Sequence, residues 1–191
     1  MIIGITGGTG SGKTTLLKIL RQHGALVLDC DAIYHQLLKT SPKLLQEIEA
    51  HFPGTVTNGQ LDRKHLGTVV FSNQSALLTL NQITHAAVRE EVLHALAFAP
   101  GLAAIDAIGL FESGLAELCD ITVAVVAPVA ERIRRLTARD NIPQEYAQKR
   151  IQAQHEDNWF REKCDYVLTN DSTPQAFQAR CLAFCQEIGI M

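Results

Sequence analysis

Short apolar runs alternate with segments of helical spacing along most of this chain, and that alternation sets the expected fold. Residues 1–6 (MIIGIT) form an apolar run, as expected of a buried parallel strand. A glycine-rich turn follows, and residues 13–22 (KTTLLKILRQ) carry apolar side chains at helical spacing. Residues 25–28 (ALVL) read as a second strand that ends in Asp29-Cys30-Asp31. From 32 to about 100 the chain reads mainly as helices, with KLLQEIEAHF (43–52) and ALLTL (76–80) as examples. The turn signal Thr57-Asn58-Gly59-Gln60 interrupts them, and Asp62 is placed to cap a helix that starts at Arg63. Further strands are predicted at 102–108 (LAAIDAI), 121–126 (ITVAVV) and 166–168 (YVL), and further helices at 128–139 and 174–188. Residues 141–160 are polar and charged, with helical spacing but little core.

Strands that alternate with helices imply an α/β fold: a mainly parallel five-stranded sheet with helices on both faces. No repeat, low-complexity segment or linker is visible, so residues 1–191 read as one domain with a helical insertion at about 32–100.

Composition narrows the functional classes. A length of 191 residues with 47% hydrophobic residues suits one globular domain with its own core. A net charge of −3, from 17 basic and 20 acidic residues, does not suit sequence-independent binding to nucleic acid. A polyanionic ligand must then be held by a few well-placed basic groups. No apolar run approaches the roughly 18 residues of a membrane span, and no signal peptide is visible. The cysteines at 30, 119, 164, 181 and 185 form no Cys-x-x-Cys pair, and reduced thiols point to the cytoplasm. Cys181 and Cys185 lie one helical turn apart; they read as a buried stripe rather than as metal ligands, because zinc needs about four ligands and no second pair is near.

The chemistry-bearing segment is Gly7-Gly8-Thr9-Gly10-Ser11-Gly12-Lys13-Thr14, a full match to G-x-x-x-x-G-K-[ST]. Glycines let the backbone wrap tightly and aim its N–H groups at phosphate oxygens. A helix N-terminus behind the loop favours an anion through its unpaired N–H groups and its dipole. Lys13 reaches the β- and γ-phosphates in such a loop, and the Thr14 hydroxyl ligates Mg²⁺. The strand before the motif and the helix after it are the context this phosphate-binding loop requires.

Other candidates keep two readings. Asp29 and Asp31 close the second strand, where ligands of open α/β sheets bind. If the strand continues, both side chains lean to one side, and either could accept a proton from an attacking hydroxyl; the alternative is helix capping by Asp31. Asp106 sits in the apolar run 102–108, where it either helps to hold Mg²⁺ or ends the strand. Arg132, Arg134, Arg135 and Arg139 cluster near one helix end. Arg132 and Arg134 read as a solvated face, whereas Arg135 and Arg139 are four apart and share a face. His85 either binds substrate or is structural. Glu112 is a ligand-side carboxylate or a helix cap. Trp159 and Phe160 read as a packing anchor.

Taken together, these segments resemble the dephospho-coenzyme A kinase family over nearly the whole chain. The resemblance is carried by TGGTGSGKTT (6–15), Leu28-Asp29-Cys30-Asp31, Leu61-Asp62-Arg63-Lys64-His65-Leu66-Gly67 with Val70-Phe71, Thr84-His85 and Leu110-Phe111-Glu112. It continues through Arg135-Leu136, Arg139-Asp140, Arg150-Ile151 and Gln154, and closes with Asp165-Tyr166-Val167-Leu168 and Asn170. The chain departs from the family's pattern at Ala86, at Ile108-Gly109 and at Cys164.

The resemblance implies a P-loop kinase fold with a helical acceptor-binding insertion at about 32–100 and a lid at about 140–160. It implies ATP and dephospho-coenzyme A as substrates, Mg²⁺ as cofactor, and no obligate protein partner. Asp31 would take the proton from the ribose 3′-hydroxyl, and Arg139 would reach the transferring phosphoryl group. Gly8, Thr9, Gly10, Ser11, Gly12, Lys13, Thr14 and Thr15 would hold the phosphates and Mg²⁺, with Asp106 as a further metal candidate. Asn170 would face the adenine, and Arg63, His85 and Leu110 would lie near the acceptor. A nucleoside or nucleoside-monophosphate kinase, or a nucleotide-binding regulator that hydrolyses slowly, would share the same loop.

Overall fold

The computed structural model describes residues 1–98 and 101–191. Residues 99 and 100, where the helical insertion is expected to end, lie outside the described residues. The chain divides into two compact units, one of residues 1–28, 99–111 and 115–191, the other of residues 29–98 and 112–114.

The first unit is built on the sheet. Its strands are β1 (Ile2–Thr6), β2 (Leu26–Asp29, whose last residue falls in the other unit), and the later strands Ala103–Asp106, Ile121–Val126 and Tyr166–Thr169. Counting the short hairpin strands β3 (Val56–Thr57) and β4 (Gln60–Leu61) in chain order, these later strands are β5, β6 and β7. The sheet order is β2-β5-β1-β6-β7, and the β1–β5, β1–β6 and β6–β7 pairings are parallel. The apolar strands predicted from the sequence are therefore the five strands of the sheet. The three central strands, β5, β1 and β6, are buried because helices cover both faces, which is why they read as runs rather than as alternations; the edge strands β2 and β7 are only partly buried.

On one face, Ile3, Ile5, Ala104, Val123 and Val125 pack against α1 (Lys13–Gln22) and α9 (Pro174–Glu187). α9 presents Phe177, Cys181, Phe184 and Cys185, an i, i+4, i+7, i+8 stripe. Both cysteines are free and buried, as the stripe reading requires. The opposite face carries Ala124 and Val126 beneath Phe160 of α8 (Asp157–Lys163), with Trp159 packed alongside. The packing anchor expected at 159–160 is thus found. α6 (Val129–Asp140) and α7 (Gln144–Gln152) pack together through Leu136, Ala147 and Ile151.

The second unit holds α2 (Cys30–Thr40), α3 (Pro42–His51), α4 (Arg63–Phe71) and α5 (Gln74–Ala97) around Leu38, Leu44, Ile48, Phe52, Leu66, Val70, Leu80 and Ile83. Side-chain caps start all four helices. Asp29 accepts from the Ala32 N–H, Ser41 from Leu44, Asp62 from His65, and Asn73 from Ser75 and Ala76. Each such cap stabilises its helix by about 1 kcal/mol. The turn signal at 57–60 closes the β3–β4 hairpin, with φ of 52° at Asn58 and 73° at Gly59. Among the described residues no helix is long and apolar enough to cross a membrane.

Candidate active site

β1 lies between β5 and β6, so the strand order reverses at its carboxyl end. The glycine loop leaves the sheet at that point and runs straight into α1. Gly12 caps α1 with φ of 105° and no side-chain bond to the first turn, so the helix start offers its N–H groups to an anion. A Cβ at position 12 would also overlap the Asn170 amide, so both the backbone angle and the space require glycine here. The Lys13 ammonium folds back and donates to the Gly7 carbonyl at 2.9 Å. Ser11 is buried, and its hydroxyl oxygen has no hydrogen-bond partner. A buried hydroxyl left without a partner is costly, and a phosphate oxygen is a fitting acceptor for it.

The outer side of the loop is held by side chains from distant segments. Arg132 Nε donates to the Thr9 carbonyl at 2.9 Å. One terminal nitrogen of Arg135 donates to the carbonyls of Gly10 (3.2 Å) and Ser11 (3.1 Å). Asn170 Nδ2 donates to Ser11 O at 2.8 Å, and the Asn170 backbone is itself fixed to Val126 O at 2.7 Å. A trans peptide plane points the following N–H opposite to its carbonyl. Holding the carbonyls of Thr9 and Ser11 outward therefore turns the N–H groups of Gly10 and Gly12 to the other side of the loop, the arrangement an anion needs.

On this outer side Arg132 differs from the sequence reading. Arg132, expected on a solvated face, is 3% exposed and bonded to the loop. Burial lowers its pKa, opposed by the nearby Asp157 carboxylate, yet a guanidinium stays charged. Asn170, expected to face adenine, is 6% exposed and commits its Nδ2 to Ser11. Arg134 is solvated as expected, paired with Glu131 at 2.8 Å. Leu110, expected near the acceptor, is 0% exposed; it packs on Gly4 of β1 and belongs to the core. That burial removes its side chain from any open surface.

Arg139 shares a helix with Arg135 but not its partner. It makes two bonds to Asp140, Nε to Oδ1 at 2.6 Å and a terminal nitrogen to Oδ2 at 2.9 Å. Arg150 of α7 donates to the same Oδ2 at 3.0 Å. The Arg139 bond, then Arg150, holds the Asp140 carboxyl below the usual carboxylate range. Thr14 and Thr15 lie in the first turn of α1, Thr14 exposed and Thr15 half-buried. Asp106 ends β5, half-buried, and stands in register with Ile5, one residue before the loop begins at Thr6-Gly7. These are oxygen donors of the kind a hard divalent ion takes together with phosphate oxygens.

In the second unit the two aspartates separate. β2 runs directly into α2, so Asp29 is the N-cap and Asp31 lies in the first turn. Capping is done by Asp29, not by Asp31, and the two carboxylates do not share one side of a strand. Asp31 is exposed. Arg63 opens α4 and is exposed; its charge acts on Tyr34 of α2, where burial raises the phenol pKa and Arg63 lowers it by a smaller amount. His85 is half-buried on α5. Glu112 lies in the turn that precedes a 3₁₀ helix at Leu115–Leu118 and caps no α-helix.

The role of Arg132 was missed, and a signal for it existed. Arg132 stands four residues before Leu136, the buried residue of the same helix, so both lie on the inward face of α6.

A model of the dephospho-CoA kinase family matches residues 1–175. A dephospho-CoA kinase from Thermobifida fusca is 35% identical over 190 residues, which are 97% of this chain and 95% of that protein. A crystal structure from Thermus thermophilus superposes with a TM-score of 0.85 at 33% identity, covering 99% of this chain and 97% of the other. The structure of dephospho-CoA kinase from Campylobacter jejuni gives a TM-score of 0.68 at 25% identity, with 98% and 96% covered. With the parallel sheet, the phosphate loop at its switch point and a family match over most of its length, this chain belongs to the dephospho-CoA kinase family.

Proposed function

We propose that this protein transfers the γ-phosphoryl group of ATP to the ribose 3′-hydroxyl of dephospho-coenzyme A, yielding coenzyme A and ADP. The observation that carries this reading is the family match over residues 1–175, which spans both compact units. In the reaction, a bond forms between the 3′-oxygen and the γ-phosphorus as the bond from that phosphorus to the β–γ bridging oxygen breaks. The hydroxyl proton passes to Asp31, an exposed carboxylate not committed to capping. Lys13 and the N–H groups of the glycine loop hold the β- and γ-phosphates, and the Ser11 hydroxyl adds a donor. Arg139 leaves Asp140 to meet the charge that develops on the phosphoryl oxygens. Thr14 and Asp106 would hold Mg²⁺, which would neutralise phosphate charge when bound.

The helical unit takes the acceptor through Arg63 and His85, and residues at about 140–160 form the lid. Five free thiols fit a reducing cytoplasm. The test is mass detection of coenzyme A from dephospho-coenzyme A, ATP and Mg²⁺, beside a panel of nucleoside and nucleoside-monophosphate acceptors. Product from a nucleoside but none from dephospho-coenzyme A would overturn the reading.

A further inference from the structure

One side chain touches both the phosphate loop and its buried arginine, and it comes from the segment just after α7. Gln154 Oε1 accepts from the Thr9 N–H at 2.9 Å and from a terminal nitrogen of Arg132 at 2.9 Å. Arg132 Nε donates in turn to the Thr9 carbonyl. Three bonds thus close a ring around one residue of the loop, with both backbone polar groups of Thr9 occupied. Thr9 is buried, so its N–H has no water to turn to. Gln154 is itself fixed, its N–H donating to Ile151 O at 3.1 Å at the end of α7.

We propose that Gln154 is a positioning residue for the nucleotide. It touches no reacting atom. It fixes the Gly8–Thr9 peptide directly, through the Thr9 N–H, and by holding Arg132 on the Thr9 carbonyl it fixes the next plane, which carries the N–H of Gly10. Both donors go to the same oxygen, so the work needs one acceptor at that place and makes no use of an amide nitrogen. This chemistry separates positioning from packing. Glutamate carries the same oxygen and meets the charge of Arg132. Methionine fills a similar volume and offers no comparable acceptor.

The inference deepens the kinase reading and rests on it only for the loop's ligand. The test is calorimetric binding of ADP to the full chain, with melting temperature and KM for dephospho-coenzyme A measured alongside. Gln154→Met should weaken ADP binding by about tenfold, as expected when a buried donor loses its partner. Gln154→Glu should bind ADP within about twofold of the parent, because one acceptor oxygen suffices. KM for dephospho-coenzyme A should not move in either variant. Wild-type ADP affinity in Gln154→Met would overturn the proposal, and so would a Gln154→Glu protein as impaired as the methionine variant. A lowered melting temperature with unchanged affinity in the folded protein would assign Gln154 to stability alone and also overturn it. Because ADP binding needs no acceptor, a chain inactive on dephospho-coenzyme A would refute the kinase reading and still decide this one.

Discussion

The guanidinium of Arg132 lies where a Cβ at position 8 would have to go, so Gly8 and Arg132 can coexist only while residue 8 has no side chain. The contact is with the charged group itself, which is bonded to Thr9 and Gln154 and cannot swing aside without breaking both. Gly8→Ala should therefore displace Arg132 and release the Thr9 carbonyl. The expected result is a loss of ADP affinity of about tenfold or more, with the sheet intact. Calorimetry on the variant and its circular dichroism spectrum check this; unaltered affinity would show that the loop holds its shape without the arginine.

Arg139 is expected to act on rate. Arg139 is mostly exposed and its partner Asp140 is half-buried, and an ion pair that open to solvent on one side is weak. Little therefore opposes its transfer from Asp140 to a phosphoryl group. Arg139→Ala should lower kcat by roughly 10³ or more while changing KM for ATP far less, because the charge matters most in the transition state. Steady-state kinetics at saturating acceptor give the answer. A raised KM with unchanged kcat would mean that Arg139 holds ground state and transition state equally.

Much of this arrangement was readable in the sequence, and the exceptions have physical causes. The run 121–126 and the helix 13–22 were read with the bounds observed, because a buried strand is continuously apolar and an amphipathic helix repeats. The hairpin at Val56–Leu61 was visible only as a turn, since strands of two residues are too short to show a period. The fate of Asp29 and Asp31 depended on where β2 stops, and α2 begins at the very next residue. Arg132 escaped because its partners lie far off in sequence: Thr9, 123 residues away, and Gln154, 22 residues away. Local charge spacing carries no trace of such a contact.

The buried thiols are expected to lower stability at alkaline pH. Burial, with a smaller contribution from Cys185, pushes the Cys181 thiol from an ordinary 9.0 up to about 12. Burial and Asp120 do the same for Cys119, also to about 12. Below pH 9 these thiols are neutral in both folded and unfolded chains. Between pH 9 and 12 the unfolded chain gives up protons that the folded chain keeps, so stability falls as pH rises through that window. Melting temperature should drop from pH 9 upward, and less steeply in Cys181→Ala than in the parent. Parallel slopes for the two proteins would remove Cys181 from the account.

Asp31 offers the sharpest test of mechanism, because the structure has separated it from its neighbour. Asp29 accepts the Ala32 N–H at 2.9 Å and caps α2; Asp31 is exposed in the following turn and caps nothing. Asparagine caps nearly as well as aspartate, so Asp29→Asn should leave both melting temperature and kcat close to the parent values. Asp31→Asn keeps size and hydrogen bonding but cannot take a proton from the ribose hydroxyl. Its kcat should fall by roughly 10² or more, the contribution of a positioned base. On the proposed reading, in which Asp31 serves the acceptor, ADP affinity should be unchanged. The loose transition state of phosphoryl transfer asks for little proton removal early, so an ordinary carboxylate suffices as base. Rates measured on both variants decide the matter: a folded Asp31→Asn protein with the parent kcat, or a larger loss at Asp29, would move the base elsewhere.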